Sequence, residues 1–269
     1  MGTTHVMLGG AFISVGNANG VKITDFKLDG YQNVSTYKTN KAFDNSYLSI
    51  VNAKGESTEI FNFFAPYDSA TTTWGEGYWK HNGKKCVDKV TDPETEELAP
   101  VIPYGTGLWC FIGKGSSGSP ITCTCAGQVL TEVAPIVLNK STMGTTHIAI
   151  CNPYPCAIDL STISLDGYQN VSTYKTNKAF DNSYLSIVNA KGEATDTFNF
   201  FAPYDSATTT WGEGYWKHNG KRIVAKGTLQ NPDTEEEYDL PGGQGLWCFI
   251  GKGSSGSPIV IKFPALELK

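Results

Sequence analysis

Residues Leu28 to Lys85 read LDGYQNVSTYKTNKAFDNSYLSIVNAKGESTEIFNFFAPYDSATTTWGEGYWKHNGKK. The same run returns at Leu165 to Arg222 with four substitutions: Ser57 is matched by Ala194, Glu59 by Asp196, Ile60 by Thr197 and Lys85 by Arg222. Inside it, Tyr47–Asn52 and Glu59–Phe64 flank Ala53-Lys54-Gly55. Two strand-like runs around a short turn, with glycine where positive φ is needed, predict a hairpin. Ile60 is the apolar position that the second copy makes polar, so its side is expected at solvent or a sheet rim. Phe61 and Phe63 alternate away from it and are expected in the core.

Working outward, GLWCFIGKGSSGSPI occurs at Gly107–Ile121 and again at Gly245–Ile259, and Met1-Gly-Thr-Thr-His5 is echoed at Met143–His147. The chain is two copies of one domain-sized unit. Within a copy, Thr4–Ser14, Val21–Leu28, Tyr78-Trp79, Cys86–Val90, Leu108–Ile112 and Pro120–Cys125 read as further strands, the last two forming a second hairpin around a Gly/Ser loop. Turns are marked by Asp29-Gly30 and Asn82-Gly83. Pro66 is expected to end its strand, and Ala134–Leu138 to close the first unit. No window carries a 3.6-residue period, so almost no helix is expected. The expected architecture is all-β: two tandem, near-identical β-sandwich domains of jelly-roll-like type, residues 1–141 and 142–269. Asn139-Lys-Ser-Thr142 joins them.

A chain of 269 residues with a formal charge of −5 offers no basic stripe, which argues against a nucleic-acid partner. Only 17% of residues are charged, and Gly is frequent, as suits sheets with many turns. No apolar run reaches membrane-span length. The start, MGTTHVML, shows no basic segment ahead of an apolar one, so no signal peptide is visible. Of seven cysteines, only Cys110 and Cys248 are equivalent between copies. A shared disulfide framework is therefore not expected. Cys151 and Cys156, bracketing C-N-P-Y-P-C, are the best candidate pair. Cys123 and Cys125, about 6.6 Å apart along a strand, lie near the upper limit for a bridge.

The most chemically suggestive segment is Trp74-Gly-Glu-Gly-Tyr-Trp-Lys-His-Asn-Gly83, repeated at Trp211–Gly220. Sugars stack on aromatic rings while amide and imidazole groups take their hydroxyls. Trp74, Tyr78, Trp79, His81 and Asn82, with Trp211, Tyr215, Trp216, His218 and Asn219, are thus candidate glycan-binding residues, and two sites give avidity. The competing reading makes Trp79 and Trp109 core residues. The acidic loops Asp92–Glu97 and Asp233–Asp239 carry Ca²⁺-type oxygens but not the order of a dedicated loop, and read as solvated runs. Asn33, Asn139 and Asn170 each begin an N-glycosylation sequon.

Gly115-Ser-Ser-Gly-Ser-Pro120 and its copy at Gly253–Pro258 resemble the nucleophile loop of chymotrypsin-like serine proteases, G-x-S-G-x-P. The resemblance covers these six residues. It implies Ser117 and Ser255 as nucleophiles. Two histidines precede the serine in each copy, His5 and His81 in the first and His147 and His218 in the second. For His81 the candidate orienting acids are Asp88 and Asp92, of which Asp88 has no clear match in the second copy. Lys114 precedes the serines, which excludes a Walker-type phosphate loop. No catalytic pair or metal cluster stands out, and no motif calls for a cofactor.

The leading expectation is a non-enzymatic structural or surface protein, extracellular or at the cell surface, that adheres or self-associates head to tail into filaments or layers. It is broadly reminiscent of repeat-built bacterial surface and appendage proteins. The alternative is a bivalent carbohydrate-binding protein with a glycan partner.

Overall fold

The computed structural model describes residues 4–17, 19–52, 54–115, 119–138, 147–189, 191–251 and 258–266. The expected linker, Asn139–Thr142, and both candidate nucleophiles, Ser117 and Ser255, lie outside these residues.

The chain forms two tandem β-sandwich domains. In the first half one layer is a nine-stranded sheet. Its main path runs Thr4–Gly9, Gly107–Ile112, Tyr47–Val51, Ser57–Asp68, Tyr78–His81, Lys84–Val87 and Glu96–Leu98. Neighbours are antiparallel except the last pair. The facing layer is built from the pairs Phe26–Asp29 with Thr122–Cys125 and Gly20–Lys22 with Val101–Pro103. The second half repeats the main sheet as His147–Cys151, Gly245–Phe249, Tyr184–Val188, Ala194–Asp205, Tyr215–His218, Lys221–Ile223 and Glu235–Glu236.

Strand alternation sorts the side chains. Phe61 and Phe63 are buried with Ala65, Leu48, Trp79 and Leu108, while Ile60 is 43% exposed, as its replacement by Thr197 predicts. The expected hairpin forms: Asn52 and Glu56 close it, the Asn52 amide oxygen accepts the N–H groups of Lys54 and Glu56, and Gly55 has φ 79°. Asn82 and Gly83 both take positive φ, 49° and 82°, as a primed two-residue turn requires.

Three expectations are corrected. The strand Ser57–Asp68 runs through Pro66, which stands opposite Ala42 at a position where the neighbouring Tyr67 N–H, not its own nitrogen, donates across to Lys41. Gly107–Ile112 and Thr122–Cys125 do not form the expected second hairpin: the first pairs with Thr4–Gly9 and Tyr47–Val51, the second with Phe26–Asp29 in the facing layer, while the single helical turns Ser35–Thr39 and Ser172–Thr176 leave the chain almost all β as expected. Ile136–Leu138 does not close the first unit. It pairs antiparallel with Ile259–Lys262, which pairs in turn with Ser164–Asp166, so it completes a three-stranded layer of the second half. Leu138 is buried in the second core, and Val133, Ile136, Phe263 and Leu266 pack on that core. No helix among the described residues is long and apolar enough to cross a membrane.

The halves meet in a reciprocal contact. Gly9 and Cys151 are equivalent, as are Gly105 and Gly243. The Gly9 N–H donates to the Gly243 carbonyl at 2.9 Å, and the Cys151 N–H to the Gly105 carbonyl at 3.0 Å. Isolated bridges join Leu8 to Gln244 and, in the mirror position, Thr106 to Ile150. Each copy therefore presents the same patch to the other, which is the property of a two-fold contact. A head-to-tail stack would instead have joined two different patches.

Candidate functional site

The pleat divides the aromatic segment between the two faces of the long sheet. Trp79 lies opposite Phe63 and is 2% exposed, and its indole N–H donates to the Phe26 carbonyl of the facing layer at 2.6 Å. Trp216 does the same to Ile163 at 2.7 Å and is 1% exposed. These two indoles pin the layers together and cannot stack on a ligand from solvent. Trp74 is half-buried between Tyr31 and Tyr67, with ring centroids 5.2 and 5.0 Å away, and donates to the Gln32 carbonyl. Trp211 repeats this with Tyr168, Tyr204 and Gln169.

His81 is occupied on both nitrogens: Nε2 lies 2.6 Å from Glu59 and Nδ1 2.7 Å from Glu97. The three residues sit on three strands and tie the far end of the sheet. His218 is held the same way by Asp196 and Glu236. Neither acid anticipated for His81 reaches it. Asp88 pairs with Lys22 at 2.8 Å, and Asp92 accepts from the Thr95 hydroxyl and the Glu94 N–H. Glu96 likewise takes the N–H and hydroxyl of Thr91, so the acidic loop spends its oxygens on its own backbone and hydroxyls. No group of metal-ligating side chains occurs among the described residues. The turn residues Asn82 and Asn219 are exposed.

Tyr78 is the one ring of the segment on the outer face, opposite Phe64, with centroids 5.6 Å apart. It belongs there to a row that crosses four further strands. Phe111 pairs with Tyr47, Tyr47 with Asn62, Asn62 with Lys80, and Lys80 with Lys85. Tyr47 and Phe111 stack at 5.5 Å, while Lys80 lies over Phe64 at 4.1 Å and Lys85 over Tyr78 at 5.0 Å. Asn62 between them is exposed. The second half carries the same row: Phe249, Tyr184, Asn199, Lys217 and Arg222. Tyr184 and Phe249 stack at 5.2 Å, Lys217 lies over Phe201 at 4.2 Å and Arg222 over Tyr215 at 4.5 Å.

Where the halves join, a cleft of about 400 Å³ is lined by equivalent pairs: Val51 with Val188, Lys54 with Lys191, and Trp109 with Trp247. The sequence reading missed the outer row because its members come from five strands and never form one motif. The usable signal was strand alternation in the Tyr47–Phe64 hairpin, which puts Tyr47 and Asn62 on the side of Ile60; Phe111 joins them through strand pairing.

Both cysteines of the C-N-P-Y-P-C loop are unpaired, Cys151 buried and Cys156 exposed. Asn152 organises the loop instead. Fully buried, its amide nitrogen lies 3.0, 3.1 and 2.9 Å from the carbonyls of Cys156, Leu240 and Pro241, and its oxygen accepts the Tyr154 N–H. Cys123 and Cys125 are also unpaired.

Comparison of the chain with protein-family models, with curated proteins and with solved structures gives no match.

Proposed function

We propose that the chain is a non-catalytic carbohydrate-binding protein with two equivalent sites, one on the outer face of each long sheet. The observation that carries this is the duplicated row of stacked rings, exposed amide and cation: Phe111, Tyr47, Asn62 and Lys80, with Phe249, Tyr184, Asn199 and Lys217. A pyranose presents apolar C–H faces to rings and hydroxyls to amide and ammonium groups, and the row supplies both along one line. Two sites on one chain favour a polymeric glycan, which both can engage at once.

The test is titration calorimetry against a panel of soluble polysaccharides. The expected result is two equivalent sites per chain for at least one of them. Replacing Asn62 and Asn199 by Ala together is expected to weaken binding about tenfold or more, with an unchanged melting temperature, because both are exposed. Absence of binding across the panel, or affinity indifferent to these residues, would overturn the reading. The filament expected from sequence finds no template in the internal contact, because a reciprocal contact closes on itself.

A further inference from the structure

The two halves differ at one sheet edge. In the second half, Ile259–Lys262 is paired on both sides, by Ser164–Asp166 and by Ile136–Leu138. In the first half the equivalent strand, Thr122–Cys125, is paired only with Phe26–Asp29 among the described residues. The second half takes its extra strand, Ile136–Leu138, from the segment just ahead of its own first strand, His147–Cys151.

Burial at matched positions records the difference. Ile259 and Ile261 are both fully buried. Their counterparts Ile121 and Cys123 are half-buried, and Thr122 and Thr124 beside them are exposed. The covering strand in the second half turns Ile136 and Leu138 inward and Val137 outward. Its register sets Ile136 opposite Ile261 and Leu138 opposite Ile259. Carried to the first half, the same register sets those two apolar side chains opposite Cys123 and Ile121. An unpaired edge flanked by half-covered apolar residues is a template for strand addition.

The structure assigns the edge of Thr122–Cys125 as a docking site for an extended peptide segment of a partner. That segment runs antiparallel and carries large aliphatic residues at alternate positions, in the pattern of Ile136 and Leu138. The inference is independent of the glycan reading, since it concerns a different layer of the sandwich and a different ligand.

The probe is a fluorescein-labelled synthetic peptide of residues 131–138, added to the full-length protein and followed by anisotropy and by amide hydrogen exchange read by mass spectrometry. The expected result is saturable binding with new protection at residues 121–125. A peptide with Ile136→Asp and Leu138→Asp should bind about tenfold more weakly or worse, since each aliphatic side chain buried is worth more than that factor. A peptide with Val137→Thr should bind like the parent, because that position faces outward. No binding, equal binding by all three peptides, or protection confined to residues 259–262, as in exchange with the strand already there, would each overturn the proposal. All variants are in the peptide, so the protein's fold is not at issue.

Discussion

Gly9 and Cys151 hold the same position in the two copies, and they touch each other across the junction. A Cβ built at Gly9 would overlap the Cβ and Sγ of Cys151. Near a two-fold axis a position meets its own equivalent, so only one of the two can carry a side chain. The first copy keeps glycine and the second fills the space.

Gly9→Ala is therefore expected to destabilise the chain by about 1–3 kcal/mol through overpacking. Adding Cys151→Gly should restore most of the loss, because the pair then exchanges which copy carries the side chain. Chemical denaturation of both single variants and the double variant measures the coupling. Additive losses would show that the two positions do not share one space.

Asn152 replaces a bridge with hydrogen bonds. Asn152→Ala strands the Tyr154 N–H and the carbonyls of Cys156, Leu240 and Pro241 inside the second half. A loss of about 1–3 kcal/mol is expected, with faster amide exchange in residues 151–156. The first half, which has Gly10 at this position, should keep its exchange pattern.

The thiols should react in a fixed order. Cys156 is exposed. Burial pushes the Cys151 thiol up to about 12, and burial raises Cys110 and Cys248 as well. Native alkylation followed by peptide mapping should label Cys156 first, with Cys86, Cys110, Cys151 and Cys248 protected until unfolding. Labelling of Cys151 at the rate of Cys156 would count against the packed junction.

Acid should loosen the surface loops before the core. The Thr71 hydroxyl, then the Ala70 N–H, hold the Asp68 carboxyl below its ordinary value of 3.8; the Thr95 hydroxyl, then the Glu94 N–H, do the same for Asp92. A carboxyl with a depressed folded value contributes stability that is complete above its ordinary value and is lost as pH falls through the folded one. Melting temperatures from about pH 5 down to about pH 2 should decline. The decline should flatten when Asp68→Asn and Asp92→Asn are combined. An unchanged slope would remove these turns from the account.

Much of the fold was legible because it rests on short-range pattern. Alternation told Ile60 from Phe61 and Phe63, and the Asn82-Gly83 pair named its own turn. What could not be read was which half a strand serves. Ile136–Leu138 is apolar and lies at the end of the first copy, yet its partner is Ile259–Lys262, nearly a whole domain away in sequence. The candidate residues are divided for a related reason. Trp74, Trp79 and His81 are close in sequence to Tyr78, but the pleat turns them from its face, whereas Asn62 and Phe111 become its neighbours through strand pairing alone.

The reciprocal junction also limits which residues can stand at its centre. A two-fold contact between tandem copies is the geometry by which two separate copies of the unit would form a closed dimer. Two separate copies could close on the same contact only with a residue as small as glycine at the Gly9 position in both, because a Cβ there would meet its own equivalent.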